Sequence, residues 1–376
     1  MKVVIASPIH SAVIGGLAAY QRELTSGLKS FSRIHGQSLT VQNLPMRPND
    51  RASGLQHHRP SGQRPASGPL LRFADTLSRV MNPQHSWKSS LDSVDVLHFV
   101  GSGKDITAHP LWRESREADV PFTVWPSLPP QDSEDETLEA RFCQQASAVF
   151  CQSDHERDLL ISQGVDAEKL IRCGLPPMCP ANGNGARLRS KLEIGMRPSV
   201  LFVGRRDADK GYPVLLDAWP LVMRQCPDAV LLLAGPGDPD EARIAKISPE
   251  SVRDLGCPSE QEKADAYAAC DVFCLPSARE SFGIVYVEAW SYGKPVICGP
   301  APASRELVDH GVTGVWADQQ PQPLAHGLLR LLMFPEDRHR IGLAGLRHQL
   351  VNFTTDHMVG AHLKAWEMTT PASTHV

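Results

Sequence analysis

Short apolar runs recur along the chain, and most are followed by longer stretches whose apolar positions lie three and four residues apart. In the first half the runs are Lys2–Ala6, Val94–Val100, Pro121–Trp125 and Ala148–Gln152. In the second they are Ser199–Val203, Ala229–Ala234, Asp271–Leu275 and Pro295–Cys298. Runs with so few polar positions have no face to offer water, so they read as strands covered on both sides. Helical spacing marks Gly15–Leu28 and Asp154–Gln163. Strands alternating with helices predict an α/β chain with parallel sheets, and two such series predict two doubly wound domains.

Between the series, Cys173–Ala186 is rich in Pro, Gly and Asn and reads as a linker. The predicted domains are therefore 1–178 and 187–354, with a last helical segment over 355–376. A low-complexity stretch, Pro45–Pro69, holds Arg47, Arg51, His57, His58, Arg59 and Arg64 among Ser, Gly and Pro, which predicts a solvated basic loop. Contact with an anionic acceptor or an acidic membrane surface is its second reading. Leu70, Ala74, Leu77 and Met81 then fall at helical spacing, as in a helix packed on the first sheet.

Composition narrows the function classes. A length of 376 residues suits two cores, and 41% hydrophobic residues can fill them. A net charge of −4 does not fit a general nucleic-acid binder. The opening apolar run breaks at Pro8, too early for a signal-peptide core, and no apolar stretch reaches the roughly 18 residues of a membrane span. Nine cysteines are scattered without a C-x-x-C pair and read as buried thiols, which points to a reducing, cytoplasmic setting.

Candidate chemistry gathers where strands end. After Asp271–Leu275 come Glu280-Ser281-Phe282-Gly283-Ile284 and, in the helix that follows, Glu288. The C-terminal edge of an open α/β sheet is where ligands bind. Gly283 admits close backbone approach, and the free N–H groups of a helix start favour an anion such as diphosphate. Glu288 can accept two hydrogen bonds from hydroxyls such as those of a ribose. The competing reading is two unrelated surface glutamates. After Ser199–Val203 come Gly204-Arg205 and Lys210-Gly211, where Arg can fork onto a phosphate and Lys adds a mobile charge. A charged surface turn is the alternative there. Gly15-Gly16 opens the first helix without G-x-G-x-x-G spacing, so a nicotinamide site is unsupported. Asp207-Ala-Asp209 and Asp238-Pro-Asp240 lack the further ligands a metal needs, and none is expected.

Together these motifs resemble the retaining GT-B glycosyltransferases of family four, also described as glycosyl transferases group 1. Glu280 and Glu288 match the family's E-x7-E, Arg205 and Lys210 its G-R-x4-K-G, and Gly15-Gly16 its N-terminal glycine pair. Gly299–Gly314 resembles a further stretch of the family, without its double glycine. The resemblance implies two facing Rossmann-like domains with an inter-domain cleft, and a last helix near His357–Met368 crossing back to the first domain. It implies a UDP- or GDP-sugar as substrate, with no separate cofactor and no metal. Arg205 and Lys210 would hold its diphosphate, Gly15, Gly16, Ser281, Phe282, Gly283 and Ile284 would line the nucleotide, Glu288 would bind ribose and Glu280 the donor sugar. The acceptor, glycan, lipid-linked or small, is not named, and synthesis of cell-surface polysaccharide or glycoconjugate would be the setting.

One departure changes this picture. The family usually has a histidine after the strand that here reads Phe122-Thr-Val-Trp125-Pro-Ser127, and Trp125 or Ser127 takes its place, depending on register. Indole only donates and serine is short, which implies a donor other than plain glucose, such as a 6-deoxy sugar or a pentose. A non-catalytic protein that binds nucleotide-sugars is the alternative. A glycoside hydrolase using Glu280 and Glu288 would leave Arg205 and Lys210 without a task.

Overall fold

The computed structural model describes residues 1–7, 16–36, 38–45, 87–103, 105, 108–126 and 136–370. The basic loop beyond Pro45 and the helix around Leu70–Met81 lie outside them. The chain divides into two compact units, one of Met1–Cys151, Arg157–Cys173 and Thr355–Val376, the other of Gln152–Glu156 and Gly174–Thr354.

The first unit is built on a sheet of β1 (Lys2–Ser7), β2 (Thr40–Pro45), β3 (Val96–Val100), β4 (Phe122–Trp125), β5 (Ala148–Cys151) and β6 (Leu170–Arg172), in the order β2-β1-β3-β4-β5-β6. Every pairing is parallel. The central strands are buried throughout, as their nearly continuous apolar runs require, with His98 and Thr123 the polar exceptions in β3 and β4. The first helix runs Gly16–His35, a turn or more beyond the predicted end at Leu28, because Phe31 and Ile34 continue the helical spacing. The helix Thr355–Thr369 packs on that first helix, where Gly27 leaves room for Thr355 and Val359.

The second unit repeats the design with β7 (Ser199–Val203), β8 (Val230–Ala234), β9 (Val252–Asp254), β10 (Val272–Leu275), β11 (Val296–Cys298) and β12 (Gly314–Trp316). Their order is β12-β11-β10-β7-β8-β9, again all parallel. Chain direction along the sheet reverses between β7 and β10. Helices Tyr212–Met223 and Ile284–Ser291 start just beyond the ends of these two strands. That reversal leaves a crevice at the strands' C-terminal ends, the ordinary ligand position of such sheets.

Four strands fall outside the predicted set. β2 is half polar, and β6, β9 and β12 have three residues each, too few for a periodicity to show. The cysteines are all free; Cys226 is partly exposed and Cys257 exposed, which corrects the expectation that they are buried thiols. Among the described residues no helix is long and apolar enough to cross a membrane.

Candidate functional site

The β7 loop carries the predicted cations. Gly204 leaves the strand, and the loop returns at Gly211, whose left-handed φ of 71° starts the Tyr212–Met223 helix. A Cβ there would collide with the Pro276 carbonyl, so the close approach of the β7 and β10 loops needs glycine. Asp207 organises the turn from inside, accepting from the Lys210 backbone N–H at 2.9 Å and from Arg205 Nε at 2.7 Å. The Arg205 side chain is 57% exposed, whereas that of Lys210 is 13% exposed.

Lys210 reaches across to the β10 loop. Its Nζ donates to the Arg279 carbonyl at 3.2 Å and forms a short ion pair with Glu280. The Glu280 side chain is 11% exposed, so the pair is largely shielded from water and its attraction is stronger than a surface pair's. Three residues on, Gly283 takes a φ of 90° and Ile284 begins the helix, its first N–H groups facing the same strand end. The Phe282 side chain is buried and packs edge-on to Phe353, 5.6 Å between ring centroids. Phe282 can therefore meet a ligand only through its backbone. Arg205, Lys210, Glu280 and Gly283–Ile284 are thus brought to one place, at the switch between β7 and β10.

Glu288 is not a surface glutamate, which removes the competing reading for this residue. It is 1% exposed and sits against the helix Glu260–Ala269. Tyr267 OH donates to it at 2.8 Å and Lys263 Nζ at 3.2 Å. Burial pushes its carboxyl above the usual range, and the Lys263 charge and the Tyr267 bond oppose that rise. Burial alone would lower the Lys263 ammonium, but Glu288 and Glu260 more than offset this and raise it. Lys263 and Tyr267 were not singled out from the sequence. Ser259 and Glu262 form a capping box that starts their helix, and the i, i+4 spacing of Lys263 and Tyr267 puts both on one face. That signal could have found them.

Other candidates have structural employment. Asp240 caps a short helix, accepting from the Arg243 N–H at 3.0 Å, and Asp209 lies 3.7 Å from Arg279. Among the described residues no group of three or more His, Cys, Asp or Glu could hold a metal ion. Gly15 lies outside the described residues, and Gly16 opens the Gly16–His35 helix. Trp125 is a core residue, stacked on Tyr20 at 4.1 Å, so it is not available to take the place of the family's histidine. Ser127 lies outside the described residues.

His98 belongs to a buried chain of hydrogen bonds in the first unit. The Met358 carbonyl, 2.7 Å from His362 Nδ1, can only accept, so Nδ1 carries the proton and Nε2 is bare. Tyr20 OH must then donate to His362 Nε2 at 2.6 Å and accept from His98 Nε2 at 3.1 Å. His98 Nδ1 in turn accepts from Thr123 Oγ1 at 3.0 Å, which accepts from Trp366 Nε1 at 3.1 Å. Burial keeps both imidazoles neutral, with His98 held well below its usual value and His362 lowered to about 3.

Residues 197–333 match the family model described as glycosyl transferases group 1. The phosphatidyl-myo-inositol mannosyltransferase of Mycobacterium tuberculosis is 39% identical over 155 residues, 39% of this chain and 41% of that protein. The D-inositol 3-phosphate glycosyltransferase of Segniliparus rotundus is 33% identical over 181 residues, 44% of this chain and 39% of that protein. The alignments thus span about two fifths of the curated relatives' length. Similarity of fold extends along the whole chain. HepE of Anabaena, solved with UDP and glucose, matches with a TM-score of 0.69 and 19% identity over 98% of this chain and 99% of that one. Sucrose-phosphate synthase of Thermosynechococcus elongatus matches with a TM-score of 0.72 and 20% identity over the same shares. The architecture is the GT-B fold.

Proposed function

We propose, from the group 1 glycosyltransferase match over residues 197–333, that this chain is an enzyme that transfers a sugar from a nucleoside-diphosphate donor with retention of anomeric configuration. The observation that carries this reading is the meeting of Lys210 with Glu280 at the β7/β10 switch, beside a glycine-led helix start. A diphosphate leaving group develops negative charge as the glycosidic bond breaks. Arg205, Lys210 and the N–H groups from Gly283 onward are the donors that would stabilise it. Glu280, at the edge of that anion site, faces the donor sugar and orders its hydroxyls. Glu288 meets the ribose, sharing its oxygens with Tyr267 and Lys263.

UDP- or GDP-sugars fit the anion site equally. The acceptor is a hydroxyl on a glycan, a lipid-linked or a small molecule. The inositol compounds in the names of the mannosyltransferase and the D-inositol 3-phosphate enzyme support a polyol or its phosphate. The setting is cytoplasmic or at the inner face of a membrane, in synthesis of cell-surface glycoconjugates. With Trp125 committed to the core, the donor differs from plain glucose. The same observation favours a second reading, a binder of nucleotide-sugars without turnover.

Calorimetry with UDP and GDP on the wild type, Arg205→Ala and Lys210→Ala tests the anion site. Each substitution is expected to weaken binding by roughly 1.5–3 kcal/mol, the worth of a charge-assisted hydrogen bond. Unchanged affinity in both variants removes the proposal. A donor panel with EDTA then separates the remaining readings. Turnover that survives EDTA supports the transferase, best turnover with UDP-glucose sinks the altered donor, and binding without turnover of any donor favours the binder.

A further inference from the structure

The loops that carry Lys210 and Glu280 come from distant parts of the chain, yet their side chains meet in an ion pair. The sheet supplies only part of that alignment. β7 and β10 pair at Val200–Val272 and Leu201–Phe273, and the ladder stops there, before either loop begins. Past the strand ends, register rests on bonds between the loops themselves. The Ala278 N–H donates to the Asp209 carbonyl at 2.7 Å, and the buried Ser277 hydroxyl lies 3.1 Å from the same oxygen.

A third segment joins them. Gln319 follows β12, and its Nε2 lies 2.9 Å from the Ala208 carbonyl and 3.0 Å from the Pro276 carbonyl. Ala208 stands two residues before Lys210 in the β7 loop, and Pro276 opens the loop that leads to Glu280. A primary amide nitrogen carries two N–H groups, one for each carbonyl, so a single side chain closes both bonds. Nearby bonds keep the segment in place: Arg305 pairs with Asp318 at 2.7 Å, and the Gln320 N–H donates to the Asp318 carbonyl at 2.7 Å.

We propose that Gln319 is a positioning residue for the donor site, stapling the anion loop to the donor-sugar loop through its two carbonyl bonds. The inference rests on the donor-site reading above and adds to it a residue outside both motifs. Gln319 touches no reacting atom. Its work is to fix the height of Lys210 relative to Glu280, so that diphosphate and sugar are met in one geometry.

The test uses the full chain with Gln319→Ala, Gln319→Glu and Gln319→Lys. Amide hydrogen exchange is followed in residues 207–211 and 276–281, together with the thermal midpoint, UDP and GDP affinity, and turnover of the best donor. In Gln319→Ala exchange accelerates in both segments at once while the global midpoint stays within a few degrees, because only local bonds are lost. With a donor that turns over, kcat falls roughly tenfold, as misplacement by a fraction of an ångström predicts. The dissociation constant for free nucleotide changes less than about threefold, since its contacts form before the reaction. Gln319→Glu, which has no N–H to offer, is affected at least as much. Gln319→Lys, which still donates over a similar reach, recovers part of both readouts. Unchanged exchange in either segment of Gln319→Ala overturns the staple, as does a Lys variant no better than Ala. Failure of the wild type to bind either nucleotide would instead remove the donor-site reading, and the staple with it.

Discussion

The two units share a sheet design but join their parts with opposite chemistry. In the first, the seam between the first helix, the sheet and the last helix is closed by neutral groups. Tyr20, His98, Thr123, His362 and Trp366 pass hydrogen bonds along one direction until the Met358 carbonyl ends the chain. Each N–H and O–H of those side chains has an acceptor in that chain, so nothing is left over for a ligand. In the second, an ion pair crosses between the strand ends at the switch, Lys210 with Glu280, while Arg205 pairs with Asp207 inside the β7 loop. An ion held by one partner on a glycine-flanked loop can exchange that partner for an anionic ligand; a satisfied neutral chain cannot. Two six-stranded parallel sheets of different strand order thus diverge into a scaffold and a proposed binding edge by the residues placed at helix seams and strand ends.

The largest effect should come from cutting the neutral chain at its middle. Tyr20→Phe leaves His98 Nε2–H and His362 Nε2 buried without partners. Each unsatisfied group costs about 1–3 kcal/mol, so for the two a loss of roughly 2–6 kcal/mol is expected in the first urea transition. Affinity for UDP or GDP in the folded variant should stay as in the wild type. If stability holds and nucleotide binding drops instead, the division of labour between the units is wrong.

Acid should weaken the first unit, with two fully buried histidines, more than the second, where His348 is half-buried and its pKa lowered. His362 titrates near 3 in the folded chain against 6.5 in the unfolded one, and His98 is lowered in the same direction. A base with a depressed folded pKa binds more protons unfolded, so stability is full above the unfolded value and is lost as pH falls through 6.5 towards the folded one. At pH 5 the His362 loss is about 2 kcal/mol, from roughly 1.4 kcal/mol per pH unit. Asp254 of the second unit is lowered in the same direction but acts in a more acidic window. The Arg206 guanidinium holds it below the usual carboxylate value, so its contribution is present above about pH 4 and lost only below. Unfolding followed by tryptophan fluorescence at Trp125 and Trp366, against Trp219 and Trp290, at pH 7 and pH 5 checks the order. Equal losses in both units would blur the contrast.

Most of this organisation could be read from residues in order. Apolar runs located the eight central strands because a strand buried on both faces must be apolar at nearly every position, as Val96–Val100 and Val230–Ala234 are. Short edge strands such as Leu170–Arg172 have no such obligation and left no pattern. The same divide runs through the site. Arg205, Lys210, Glu280 and Gly283 announce themselves because ions and glycines at strand ends have few other uses. Lys263 and Tyr267 left only their i, i+4 spacing as a signal, and Gln319 acts through tertiary neighbours many residues away, which no local spacing records. Trp125 shows the limit from the other side, since a motif position need not point at the ligand when the core has a use for its ring.

The smallest expected effect concerns Glu288, which combines the two chemistries, a carboxylate on the helix that starts at the proposed binding edge yet buried like the neutral chain. Glu288→Gln keeps an oxygen for Tyr267 and leaves Lys263 its second carboxylate, Glu260 at 2.9 Å. Removing a buried charge relieves desolvation while it forfeits an ion pair, so stability should change by less than about 1 kcal/mol. Nucleotide affinity is the sharper measure. If Glu288 meets the ribose through the oxygens it shares, UDP and GDP should bind less than roughly tenfold more weakly, a smaller loss than in Lys210→Ala. The loss should vanish with a 2′,3′-dideoxynucleoside diphosphate, which has no ribose hydroxyl to offer. A penalty that persists with the dideoxynucleotide would mean that Glu288 acts on the shape of the helix Ile284–Ser291 rather than on the sugar. Glu288 would then belong with Tyr20 and His362, among the groups that hold the fold.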